Sequence, residues 1–126
     1  MGGSNKPVVL LVDHKPEARE VFTQIAKEFP FDLIVAEDGQ AGFDIAREQE
    51  PDLIVIRKNV PVLNAQSVSV LLKQSAATDK IPILVICPDY SPEDQEKFQD
   101  AGCNDCIKDV KEVDIVVSKL KEWLAL

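Results

Sequence analysis

The chain has 126 residues, 45% hydrophobic and 29% charged, enough for one well-cored domain and too few for two. Its formal charge of -8 argues against a nucleic-acid surface, because a phosphate backbone selects basic partners. No apolar run approaches the roughly 20 residues that a membrane-spanning helix needs.

The first six residues, Met1-Gly2-Gly3-Ser4-Asn5-Lys6, contain no apolar stretch of the signal-peptide kind and are expected to form a flexible end. The folded domain is expected over residues 7–126. Three cysteines, an odd number without a secretory leader, fit the reducing cytoplasm better than a disulfide scaffold.

Val8-Val9-Leu10-Leu11-Val12 is a continuous aliphatic run ending at Asp13, the pattern of a strand buried on both faces. Pro16 then opens a helix at a position where its missing N–H costs nothing. The apolar stripe of that helix is Ala18, Val21, Phe22, Ile25, Ala26 and Phe29, closed by Pro30. Asp32 to Ala36 predicts a second strand and Gly39 to Arg47 a second helix. Pro51-Asp52-Leu53-Ile54-Val55-Ile56 predicts a third buried strand, stopping at Arg57-Lys58-Asn59. Asn64 is placed to cap a third helix carrying Val68, Val70, Leu71 and Leu72. Ile81 to Cys87 reads as the fourth strand. Ser91-Pro92-Glu93-Asp94 is a helix start, with a cap, a first-turn proline and acids facing the dipole. Gly102 suits a left-handed cap after that helix, Cys106-Ile107-Lys108 a short fifth strand, and Val113 to Leu124 a final helix.

Five strands alternating with five helices imply a parallel sheet covered on both faces. Right-handed crossovers at this size favour the flavodoxin-like doubly wound order 2-1-3-4-5. In such a fold the site lies at the carboxyl ends of the strands. That places Asp13-His14, Arg57-Lys58, Cys87-Pro88 and Lys108-Asp109 around one crevice.

Several of these segments resemble the response-regulator receiver family from Lys6 onward. Val12-Asp13-His14-Lys15-Pro16-Glu17-Ala18-Arg19 resembles its acidic-pair segment, and Ala36-Glu37-Asp38-Gly39-Gln40-Ala41 its Ala-x-Asx-Gly-x-x stretch. Pro51-Asp52-Leu53-Ile54-Val55-Ile56, followed by Pro61, is similar to the strand leading to the phosphoacceptor. Ile81-Pro82-Ile83-Leu84-Val85-Ile86 and Ala101-Gly102-Cys103-Asn104-Asp105 are similar to its fourth strand and the turn before its fifth.

The resemblance also implies where the family's chemistry is missing. Arg57 stands at the phosphoacceptor aspartate, and a guanidinium cannot form an acyl phosphate. Asp13 is kept from the acidic pair, but its second member, a direct metal ligand in the family, is His14. One carboxylate beside an arginine is a poor magnesium site, since that ion wants hard oxygen ligands, and no cofactor or metal is expected. The hydroxyl residue after strand four corresponds to Cys87, the switch aromatic of strand five to Cys106, and the family's Lys-Pro pair to Asp109-Val110 rather than to Lys108.

Two readings of Asp109 stay open. It pairs with Arg57 in a charge-reversed version of the family's Asp–Lys contact, or it caps the last helix through Asp-x-x-Glu to Glu112. His14 reads as a partly exposed loop residue before a metal ligand. Cys103-x-x-Cys106 has redox or zinc spacing, yet it straddles a turn into a strand and lacks ligands, so buried structural thiols are the favoured reading. No nucleophile set, phosphate-binding loop or dinucleotide fingerprint is present, and no enzymatic activity is expected.

The function these readings imply is a non-phosphorylatable receiver that acts as a protein-interaction module in two-component signalling, as a domain of a larger signalling protein. Protein partners are expected on the face of the fourth helix, fifth strand and fifth helix, with Tyr90, Phe98 and Val110 exposed there. The alternatives are a thiol-based redox sensor using Cys87, Cys103 and Cys106, or a receiver phosphorylated at another acid.

Overall fold

The computed structural model describes residues 6–125. Of the expected flexible segment, only Lys6 falls among them; residues 1–5 lie outside the described residues.

The elements, in chain order, are β1 (Val8–Val12), α1 (Pro16–Glu28), β2 (Asp32–Ala36), α2 (Gly39–Gln49), β3 (Leu53–Arg57), α3 (Ala65–Lys73), β4 (Ile83–Ile86), α4 (Pro92–Asp100), β5 (Asp105–Ile107) and α5 (Val113–Leu124). All pairings are parallel and the strand order is β2-β1-β3-β4-β5, the flavodoxin-like arrangement. β4 and β5 are shorter than their apolar runs: Pro82 lacks an amide to donate, and the chain leaves β5 before Lys108.

Strand side chains alternate between two cores, which is why the central runs are apolar at every position. Leu10, Val12, Ile54, Ile56, Ile83 and Val85 pack beneath α2, α3 and α4. Val9, Leu11, Leu53, Val55, Leu84 and Ile86 pack beneath α1 and α5, against Phe22, Ile25, Val116 and Leu120.

Helix ends follow the local chemistry. Asp38 and Asn64 cap α2 and α3 by accepting from the Ala41 and Ser67 amides. Ser91 and Asp94 form a reciprocal capping box at the start of α4. Gly102 has φ 95°, and its place is backed by Lys73, so a side chain there would meet both strain and a neighbour. The edge strand β5 is tied to α5 through Asp105, whose Oδ2 accepts from Lys119 Nζ (2.7 Å) and Trp123 Nε1 (3.1 Å).

Two expected core positions face outward. Val70 on α3 and Val113 at the start of α5 are exposed, because the helix phase turns Ser69 and Val116 inward instead. Ser69 meets its buried hydroxyl's need by donating to the Ala65 carbonyl.

Candidate functional site

Register decides what meets at the carboxyl end of the sheet. Leu11 is opposite Val55 and Val12 opposite Ile56, so one further step places Asp13 beside Arg57. By alternation both side chains emerge on the α1–α5 face. Arg57 Nε donates to Asp13 Oδ1 at 2.7 Å. The carboxylate is fully buried and the arginine is 7% exposed. Removing either partner would strand a buried charge, which costs about 3–5 kcal/mol in comparable pairs.

Asp13 Oδ1 also accepts from the Lys15 amide at 2.9 Å, which turns the chain into α1. Asp13 Oδ2 is buried and without a hydrogen-bond partner. His14 is exposed, its Nδ1 3.9 Å from Asp13 Oδ1. A guanidinium thus already neutralises the single carboxylate here, and a soft, solvent-facing imidazole stands beside it. These residues do not fit magnesium, which needs several hard oxygens around one point.

The expected Arg57–Asp109 contact is not formed, nor does Asp109 cap α5. β5 ends at Ile107, and Asp109 is exposed in a turn, its Oδ1 accepting from the Lys111 amide at 2.8 Å. Glu112 is the cap residue of α5 and makes no side-chain cap bond. Arg57, Lys108 and Asp109 nevertheless line one open cleft of about 420 Å³, together with Lys15, Pro88 and Lys111.

Alternation sends the next residue of β3 to the opposite face. There Lys58 Nζ bonds Asp94 Oδ2 at 3.0 Å and lies 3.7 Å from Asp89 Oδ1. Cys87 Sγ donates to both carboxylates, at 3.6 Å and 3.8 Å. The sequence reading missed this cluster; the strand parity of Lys58 and Cys87, with the capping acid at Asp94, is the signal that would have found it. Cys87, Asp89 and Asp94 hold three ligand atoms within 4.8 Å of one another, but the Lys58 ammonium stands among them as the counter-ion. That bond from Lys58 holds the Asp94 carboxyl below its ordinary range.

The thiols are buried or half-buried and free. Burial, reinforced by the Asp94 charge, pushes Cys87 up to about 11. Burial also raises Cys103, whose sulfur lies 3.1 Å from the Ser69 hydroxyl, and Cys106. A redox-sensing cysteine needs the opposite shift. Cys106 lines a small groove of about 150 Å³ with Tyr90, Phe98 and Cys103. Tyr90 is half-buried. Phe98 and Val110, expected to be exposed, are each only 4% exposed. Phe98 lies one helical turn after Asp94 and joins the α3–α4 core, while Val110 packs beneath α5.

One backbone outlier adjoins the crevice. Val62, in the β3–α3 loop, has φ 74° and is 73% exposed, a conformation that costs a β-branched residue of order 1–3 kcal/mol. Gly39 meets the same loop: an added Cβ would collide with the Leu63 carbonyl.

A doubly wound parallel domain with its charged residues gathered at the strand carboxyl ends is the architecture of a signalling receiver. The chain belongs to the response regulator receiver domain family, whose model matches residues 9–119. It is 31% identical over 96 residues to a gliding motility regulatory protein of Myxococcus xanthus, covering 76% of this chain and 12% of that protein. It is 28% identical over 103 residues to hybrid signal transduction histidine kinase D of Dictyostelium discoideum, covering 82% of this chain and 7% of the kinase. The chain therefore spans only a small part of these two relatives. By contrast, 23% identity to the polar-differentiation response regulator DivK of Brucella ovis extends over 92% of this chain and 94% of DivK. Among solved structures, Vibrio cholerae chemotaxis protein CheY4 matches with a TM-score of 0.87 at 19% identity, covering 94% of this chain and 99% of that one. The receiver domain of Pseudomonas aeruginosa sensor histidine kinase PA1611, solved with magnesium coordinated in its active site cleft, gives 0.85 at 21% identity, covering 96% and 99%. Among the described residues, no helix is long and apolar enough to cross a membrane.

Proposed function

We propose that this receiver domain signals without accepting a phosphoryl group, and works as a protein-interaction module over residues 7–126. The observation that carries the reading is Arg57 at the end of β3, bound at 2.7 Å to the buried Asp13. A side chain that cannot be acylated stands at the acceptor position, and its charge replaces the one a divalent cation would bring. The domain is then a presenter of surface rather than an enzyme, alone or within a larger signalling protein. Its partner face is the α4–β5–α5 side, where the half-buried Tyr90 and the groove beside Cys106 take the role first expected of Phe98 and Val110.

Magnesium separates this reading from a phosphorylatable receiver that uses another acid. Titration of the ion to millimolar concentration should leave the amides of Asp13, His14 and Arg57 unmoved beyond the ionic-strength effect. Saturable shifts at those three residues would refute the proposal.

A further inference from the structure

Arg57 is bound on one side only. Its Nε serves Asp13, and among the described residues no hydrogen bond or ion pair engages its two terminal amino groups. The side chain is 8% exposed, and that residual surface forms part of the wall of the 420 Å³ cleft. Two lysines from different loops share the cleft: Lys15 from the β1–α1 turn and Lys108 from the β5–α5 turn. Neither forms an ion pair or a side-chain hydrogen bond among the described residues.

The acids lining the cleft are mostly engaged. Glu17 lies 3.9 Å from Lys111 Nζ, and Asp109 holds the Lys111 amide. Only Glu112 is left to oppose the guanidinium edge and two ammonium groups. Donors thus converge from three separate segments, and a planar fork is among them. That arrangement suits a ligand with several anionic oxygens better than a two-oxygen carboxylate.

We infer that the cleft beside Arg57 is a reversible, non-covalent binding site for a phosphate group, free or as an ester. The inference deepens the proposed function and rests on it in one respect: Arg57 must stand where it cannot be acylated. No bond is made or broken.

The test is an amide and arginine Nε titration of the full chain with inorganic phosphate, against sodium chloride at matched ionic strength. Phosphate should give saturable shifts at Arg57 Nε and at residues 108–111, and chloride should not. Because the lysines are exposed, affinity should fall as salt rises. Arg57→Lys keeps a charge for Asp13 but loses the fork, and should weaken binding about tenfold. Lys108→Ala, at an exposed site that does not threaten folding, should weaken it about two- to fivefold. O-phosphoserine as a second titrant tells the sources apart: tighter binding assigns the site to a phosphate ester, weaker binding to the free ion. Shifts that stay linear and match chloride would overturn the inference. So would saturable binding that both variants leave unchanged, or acetate binding as tightly as phosphate. Denaturing mass spectrometry of the same samples reads the other proposal separately, since a covalent gain sinks the non-acceptor reading and unsaturable shifts sink this one.

Discussion

Arg57 is a charge that the sheet has drawn out of water, and Asp13 is what makes that tolerable. The guanidinium reaches the carboxylate with one nitrogen, leaving Asp13 Oδ2 unbonded and the arginine's outer edge at the cleft. A buried pair of this kind is weak evidence of net stabilisation, because desolvation of both ions offsets much of their attraction. Breaking it is another matter. Arg57→Met should lower stability by about 3–5 kcal/mol in urea unfolding, since it leaves Asp13 buried without a counter-ion. The double variant Asp13→Leu/Arg57→Met should recover most of that loss, since neither charge is then stranded. Equal destabilisation in the single and double variants would show that the two residues act separately.

At the scale of elements, α4 is anchored by one acid with two duties. Asp94 completes the capping box with Ser91 and receives Lys58 from the end of β3. The bond from Lys58 holds its carboxyl below the ordinary value of 3.8, so the stability it contributes is complete above that value and is lost as pH falls through the folded one. Lys58 is raised from 10.5, first by the same bond, so its share is complete below that value and is lost as pH rises through the folded one. The pair therefore works across the whole neutral range. Asp94→Asn should lower the urea midpoint at neutral pH, with the two proteins converging as the pH falls below the ordinary carboxylate value. Parallel curves down to strong acid would mean that Asp94 is not held low. The same elements show what could be read from the residues alone. Strand parity and the run of apolar positions were enough to place Asp13 beside Arg57, because both follow from a two-residue period and a parallel register. Asp109 was not legible, since where β5 ends and how its loop turns depend on the short edge strand and on α5. Phe98 was legible in principle, four residues after Asp94 on the buried side of α4, but the family's partner face pointed the other way. Val110 looked like a loop residue between charges, and only the packing of α5 over Ile107 buries it.

The whole molecule is acidic, with a net charge of -8, yet it gathers Lys15, Arg57, Lys108 and Lys111 around one cleft at the carboxyl edge of its sheet. The receiver scaffold survives there without a carboxylate at the end of β3, because strand alternation and two helix layers hold it together, not the site. What the account claims above all is that this edge cannot take a phosphoryl group covalently. Intact mass after incubation with a small acyl-phosphate donor and magnesium tests that directly. The account predicts an unchanged mass; a gain of one phosphoryl group, released by hydroxylamine as an aspartyl phosphate would be, would contradict it.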